Sequence, residues 1–513
     1  MPIGYVIRKN QYYDSVFLMT VNSRILKVKG IQQTAVLMGS PANKQLLADI
    51  GIQTPNIDAA QANDLIVAVI ADSMQIVNQV LGNLDVWLNA IQEETPVSQL
   101  HTLEDGLAIK TNANLAVISI PGEYAAREAR KALEAGLNVF IFSGNVSIED
   151  ELELKRRANQ NELLVMGPDC GTSLIGGIGI GFTNAIRRGD IGAIGAAGTG
   201  LQEFTTQVHN LGFGISHAIG TGSHDLSDQI GGLTTLAALD ALEGDVKTKV
   251  VTIISKPPGA TSLERLLAKI ASCRKPVIGC FLGVDPEIVS RRMNLQPAHT
   301  IDEAVGLAIK MSGKTSPTRE GLSAVEVKML SDEKAGWSPE QKYLRGILAG
   351  GTFCYQSQQI MRGKGITVYS NNPLVPKNKL NNPDKSFQHT LVDMGDEFFM
   401  VGKPHPMIDG TMRRLRILAE SHDPQVAVLY LDFILGYNAS MDPVGELVDA
   451  IEEAKSVYKQ RGGSLTVVAS ICGTDADPQD LTFQVNMLRD AGVLVYDSNA
   501  QATAACCWLL GKR

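Results

Sequence analysis

At 513 residues, 44% hydrophobic and 19% charged, the chain has the composition of a folded protein with ample core and room for three or four domains. A net charge of −8 without any Lys/Arg block speaks against a nucleic-acid surface, and no segment reaches the ~18 uninterrupted apolar residues of a membrane span. Seven scattered cysteines without a C-x-x-C pair or metal spacing, and an amino-terminal stretch with no basic region leading into a long apolar run, predict a cytoplasmic protein with free thiols, no metal site and no secretory signal.

Residues 1–104 alternate short strands and helices: a strand at Tyr5–Ile7, a helix at Asp14–Ile25, a strand at Thr34–Met38, a helix at Ala42–Asp49, a strand at Leu65–Ile70 and a helix to about Asn89. This is a small α/β or α+β module whose residues offer no chemistry; Tyr12, Tyr13 and Asp14 read as core and capping residues. Residues 105–188 turn to buried parallel strands, L-A-V-I-S-I (115–120), N-V-F-I-F-S (138–143) and L-L-V-M (163–166). Ser147 caps the helix Ile148–Ala158, whose first turn carries Glu149, Asp150 and Glu151. Ligands of such sheets lie beyond the carboxyl ends of the strands, where Pro121, Asn145, Gly167, Pro168, Asp169 and Cys170 fall.

Residues 189–312 open on D-I-G-A-I-G-A-A-G-T-G-L-Q-E (190–203), a short strand, a glycine turn and a helix. The first N–H groups of such a helix have no partner within it and carry the positive end of its dipole, so Ala197, Gly198, Thr199 and Gly200 are candidate anion ligands. Ser312–Pro339 is polar and reads as a linker, assigned to 313–342. Residues 343–513 begin R-G-I-L-A-G-G-T-F-C (345–354), again strand, glycine turn and helix, and later features keep the order of the preceding unit, a weak internal repeat of layout. Two such units aimed at one pocket would make a two-sided anion clamp.

The motifs G-P-D-C-G-T (167–172), G-A-I-G-A-A-G-T-G (192–200), G-T-G-S-H-D-L-S-D (220–228) and S-K-P-P-G (255–259) resemble those of the succinyl-CoA ligase α subunit. D-M-G-D (393–396) and L-G-Y-N (435–438) are similar to the β-subunit carboxyl-terminal domain, and G-K-P-H-P-M-I-D (402–409) matches a signature of the FdrA family, which the whole chain most closely resembles. The resemblance implies a multidomain α/β fold: the small amino-terminal module, a Rossmann-like CoA-binding-type domain at 105–188, and two flavodoxin-like succinyl-CoA-ligase-type domains at 189–312 and 343–513. It also implies a phosphate site between two helix N-termini, with Gly198 and Thr199 on one side and Gly436, Tyr437 and Asn438 on the other.

Three departures from the ligase pattern bear on the chemistry. The phosphorylated histidine of the ligases has no counterpart in V-D-P-E-I-V-S-R-R-M after Leu282-Gly283, its partner glutamate is replaced by Lys256, and the glycine-rich nucleotide loop, an ATP-grasp segment and a Walker A motif are missing. Phosphate as a substrate fits better than phosphate passed from ATP. The family resemblance implies an oxamate carbamoyltransferase subunit, in which oxalurate and phosphate give oxamate and carbamoyl phosphate with companion subunits, and a homo-oligomer is compatible with it. Its alternatives are an ADP-forming acyl-CoA synthetase using CoA and ATP/Mg, and a non-catalytic anion-binding scaffold.

Among the remaining candidates, His405 sits between two prolines that fix its direction and is a phosphate ligand or general acid/base; a structural loop histidine is the plainer reading. His224 and Asp225 follow a glycine turn at a strand end, Asp409 closes the His405 segment, and a lone Cys170 is more often simply buried. Arg413, Arg414 and Arg416 read as a solvated helix face.

Overall fold

The computed structural model describes residues 2–11, 13, 15–26, 28–49, 51–89, 100–196, 198–284, 288–289, 293–315, 321–400 and 403–512. They form two compact units, Met1–Thr102 and Leu103–Arg513.

In the first unit the strands Ile3–Arg8, Leu65–Ala71 and Ile31–Met38 form an antiparallel sheet with Leu65–Ala71 in the middle. That strand reads as an unbroken apolar run because both of its faces are covered. Leu65, Val67 and Val69 pack with Leu18, Val21 and Val77, whereas Ile66 and Ala68 pack with Leu47, Ile52 and Ile57. The predicted strands and helices recur within a few residues, except that the last helix is two, Met74–Gly82 and Leu84–Asn89. Tyr13 stacks on Phe17; Tyr12 and Asp14 lie outside the described residues.

Among the described residues the second unit contains three sheets. Leu115–Ile118, Asn138–Ile141 and Val165–Met166 form a parallel sheet in chain order. A seven-stranded sheet follows the order Leu295–Pro297, Val277–Phe281, Val250–Ser255, Arg188–Gly195, Ile215–Gly220, Thr172–Ile175, Ile178–Gly181, the first five parallel and the last two an antiparallel hairpin. A five-stranded parallel sheet has the order Thr390–Asp393, Tyr343–Leu348, Val426–Ile434, Thr466–Cys472, Leu494–Tyr496.

Two expectations about organisation change. Residues 172–181, expected before the boundary at 188, pair Leu174 with Ala218 and belong to the seven-stranded sheet. The expected linker contains a helix, Ala324–Ala335, started by a capping box between Ser323 and Glu326. Its only buried residue is Leu330, so apolar spacing gives no helical signal there. Lys334 and Trp337 tie the helix down through Leu509 O and Thr466 Oγ1.

The helix Gly198–Asn210 lies along the seam between the two larger sheets and is buried on nearly all sides. Glu203 Oε1 accepts from Asn499 N at 2.6 Å, His209 Nε2 lies 3.0 Å from Asp475, and Asn210 donates to Gly473 O. The seam is therefore polar and specific as well as close-packed.

Candidate functional site

The strand Arg188–Gly195 leads into the helix starting at Gly198, and the strand Tyr343–Leu348 leads through Ala349 and Gly350 into the helix Gly351–Gly363. The two helix starts abut. A Cβ on Gly350 would stand 3.0 Å from Thr199 Oγ1, and one on Gly200 would stand 2.7 Å from Thr352 Cγ2, so glycine is what permits the approach. The Ala349 and Gly350 N–H groups are held by the buried Asp432 carboxylate at 2.8 and 2.9 Å, and Asp432 also receives Arg413 Nη2 at 2.9 Å. This pair fixes the turn and aims the following helix.

Three side chains converge on the mouth of that junction. Lys256 Nζ and Asp393 Oδ2 lie 3.3 and 2.7 Å from the point where a Cβ on Gly351 would stand, and Lys256 also sits 5.3 Å over the Tyr355 ring. Asp393 ends the strand Thr390–Asp393, is 4% exposed, and accepts from Gly395 N through Oδ1 at 3.1 Å. Burial pushes its pKa up to about 6, against the pull of Lys256. His405 Nε2 lies 2.9 Å from the Cβ point of Gly395. Its Nδ1 accepts from Met407 N at 3.2 Å, and enclosure by protein lowers its pKa to about 4, with Arg413 adding to the effect. At neutral pH the ring is uncharged with its proton on Nε2, a fixed donor beside Gly395, whose Cβ point also lies 3.4 Å from Asp393 Oδ1. Two positive helix ends, one ammonium and one imidazole N–H, opposed by the Asp393 carboxyl group with Asp396 beside it, are the groups by which a small oxyanion would be recognised.

Thr199 lies against Gly350 in this junction, and Gly198 opens the same helix beside Thr172; Ala197 lies outside the described residues. The expected second side is corrected. Gly436, Tyr437 and Asn438 fold against residues 181–184: Gly436 N donates to Gln479, Tyr437 N to Thr183 O at 2.7 Å, and Asn438 Nδ2 to Gly181 O at 2.7 Å. The turn that meets the Gly198 helix is Ala349–Gly350–Gly351. Both glycine turns close neighbouring strands of one sheet, and local sequence does not say which of them faces the partner. The repeated strand–turn–helix layout at 345–354 was the available signal.

Pro121, Asn145, Gly167, Pro168 and Asp169 do come together at one edge. A Cβ on Gly122 would stand 2.5 Å from Asn145 O, Asp169 N donates to Ser143 O at 2.9 Å, and a Cβ on Gly222 would stand 2.3 Å from Pro168 O. Pro121, Asn145 and Asp169 are exposed there. Cys170 turns inward, and burial raises its thiol to about 12, so it is corrected to a packing residue. Asp225 is also corrected: its carboxylate is fully engaged by Lys155 Nζ at 2.8 Å and by the N–H groups of Thr234 and Thr235 at 3.0 and 2.9 Å, at the start of the helix Leu233–Gly244. His224 is partly exposed over the buried Glu151 carboxylate at 3.4 Å, which raises its pKa; it belongs with the Gly222–Pro168 edge and not with the junction. Asp409 accepts from Thr411 N at 2.7 Å at the start of the next helix. Arg413 and Arg416, expected on a solvated face, are buried against Asp432 and Glu420; Arg414 is exposed.

The fold is acyl-CoA synthetase and succinyl-CoA ligase-like. Residues 347–508 match the CoA-ligase family, and residues 187–273 match the CoA binding domain family, a match that falls almost wholly on the segment read above as ligase-α-like and not on 105–188, where the CoA-binding-type domain was expected. The YahF protein of Escherichia coli K12, described as uncharacterized, is 41% identical over 97% of either chain, and the present chain belongs to the FdrA/YahF family. Subunit alpha 1 of the ADP-forming succinate–CoA ligase of Archaeoglobus fulgidus is 26% identical over 187 residues, which span 36% of this chain and 62% of that subunit. An ATP citrate lyase from Methanothrix soehngenii, solved with citrate and coenzyme A, aligns over 80% of this chain and 82% of its own at 11% identity, with a TM-score of 0.36; so loose a likeness places no residue.

Residues 1–102 match a family described as AllF, heavy metal-associated domain. They contain no cysteine and one histidine, His101, so the thiolate ligands that commonly hold a soft metal are missing there. Among the described residues no group of three His, Cys, Asp or Glu is arranged to hold a metal ion, and no helix is long and apolar enough to cross a membrane.

Proposed function

We propose that this chain is an enzyme subunit that makes or consumes an acyl phosphate, with phosphate held between the starts of the Gly198 and Gly351 helices and beside Lys256. The abutment of those two helix ends carries the reading. The N–H donors and Lys256 would orient phosphate for attack on an acyl carbon, and the His405 Nε2–H would face charge that develops in the transition state.

Within this class the acid–CoA ligase activity has the broader support, from the CoA-ligase and CoA-binding matches and from the succinate–CoA ligase relatives. The exposed strand-end edge at Pro121, Asn145 and Asp169 fits an extended ligand, and CoA, when bound, supplies the thiol that takes the acyl group.

A second reading, transfer of a carbamoyl group from oxalurate to phosphate with companion subunits, is favoured by two features of the site. The segment after Gly283 carries no histidine, and Lys256 places a positive charge where a phosphate substrate would sit. None of the relatives named above is described as a carbamoyltransferase.

Calorimetric titration with inorganic phosphate comes first: binding is expected, and its absence in the purified full-length chain removes both readings. CoA-dependent ADP formation with carboxylic acids then supports the ligase, whereas carbamoyl phosphate formed from oxalurate and phosphate with the companions supports the transferase.

A further inference from the structure

We propose that Asp393 is the proton-carrying group of the junction: protonated while phosphate occupies the site, it delivers its proton to the leaving nitrogen or sulfur of the acyl donor. This rests on the phosphate reading of the site and specifies how that site works. One oxygen of Asp393 is fixed by Gly395 N–H, and the other reaches the start of the Gly351 helix, at the point that Lys256 Nζ also approaches. A carboxylate in that position repels an incoming oxyanion, and a carboxylic acid donates to it. The occupied site therefore favours the protonated form.

The surrounding groups leave Asp393 as the one suited to cycle near neutrality. Lys256 and Asp396 face it with opposite charges. Cys354 and Tyr355, on the Gly351 helix, are both shifted upward by burial and stay neutral, the Cys354 thiol at about 12. His405 has given its Nδ1 to Met407 N–H and, with a pKa of about 4, donates through Nε2 without taking up a second proton at neutral pH. Asp393, at about 6, is the group that both binds and releases a proton there.

The step balances. An unprotonated oxygen of hydrogen phosphate forms a bond to the acyl carbon, and the bond from that carbon to nitrogen or sulfur breaks with its electron pair. The leaving atom takes the Asp393 proton, and the proton of the phosphoryl group returns to Asp393. The products are the acyl phosphate dianion and a neutral amide or thiol, with the acid regenerated.

Sulfate, which does not titrate in this range, is the probe of choice, with phosphate as its reference. Sulfate affinity of the full-length protein is expected to fall at least about tenfold between pH 6 and pH 8, as the carboxyl group must be reprotonated at cost above its pKa. Asp393→Asn should bind sulfate with little dependence on pH and with wild-type affinity or better at pH 8, while Asp396→Asn keeps the wild-type slope. A flat wild-type profile overturns the proposal without recourse to any variant, as does an Asp393→Asn slope equal to wild type. If neither anion binds the wild-type protein at any pH, the phosphate reading itself fails, a result distinct from either of these.

Discussion

Gly198 and Gly200 stand two positions apart at one helix start and answer to different constraints. A Cβ on Gly198 would meet Thr172 Oγ1 at 3.5 Å, an ordinary contact, whereas one on Gly200 would strike Thr352 Cγ2 at 2.7 Å and Ile254 Cγ2 at 3.2 Å. Gly200→Ala should therefore push the two helix starts apart and cost ~1–3 kcal/mol in denaturant unfolding. Gly198→Asp should do the reverse of what a damaged fold would show. Its carboxylate suits a helix N-terminus and keeps stability within ~1 kcal/mol of wild type, while it occupies the anion position with negative charge and abolishes phosphate binding. Equal losses of stability in the two variants, or retained phosphate binding in Gly198→Asp, would contradict this division of roles. At this scale the sequence is informative where chemistry is local: Lys256 and Thr199 stand out from their own motifs, S-K-P-P-G and G-A-A-G-T-G. Asp393 was visible as the first residue of D-M-G-D, but its role depends on Lys256, 137 positions earlier along the chain.

At the scale of elements, buried charge positions helices. Asp225 neutralises Lys155, itself 1% exposed, and caps the helix Leu233–Gly244; Glu151 completes the cluster 2.7 Å from Lys155. Asp225→Ala leaves Lys155 with Glu151 as its one remaining carboxylate and strips the buried Thr234 and Thr235 N–H groups of their acceptor, and should cost ~1–3 kcal/mol, read by urea unfolding, with phosphate affinity of the folded protein unchanged. A loss of phosphate affinity at full stability would instead return Asp225 to the site.

The same physics marks where sequence reading reaches its limit. Apolar runs with glycine turns give the parallel strands, since each run is buried on both faces. Three arginines within four positions look solvated until Asp432 and Glu420 are found packed against two of them. The choice between the Gly350 and Gly436 turns depends on how two sheets face each other, which no local pattern encodes. The helix Ala324–Ala335 was signalled only by its capping box, because one leucine anchors it.

At the scale of the whole molecule, the seam between the two larger sheets contains two acids whose pKa values are raised by burial. Glu203 is 2% exposed, with one oxygen on Asn499 N and the other without a hydrogen-bond partner; burial raises its pKa well above the ordinary 4.5, and the neighbouring Asp302 adds to the shift. Asp302, held by Ser498 and Gln207, is raised as well, again through burial. A raised carboxyl pKa means that the folded chain holds a proton which the unfolded chain has released. Stability from this source is complete at low pH and is lost as pH rises from the unfolded value toward the folded one, by up to about 1.4 kcal/mol per pH unit for each retained proton. Glu203→Gln keeps the acceptor for Asn499 N and removes the titration. The variant should therefore be more stable than wild type in urea at pH 8, with the advantage shrinking as pH falls toward 5. If the wild-type protein instead gains on the variant with rising pH, Glu203 is ionised in the fold and the seam is held by charge.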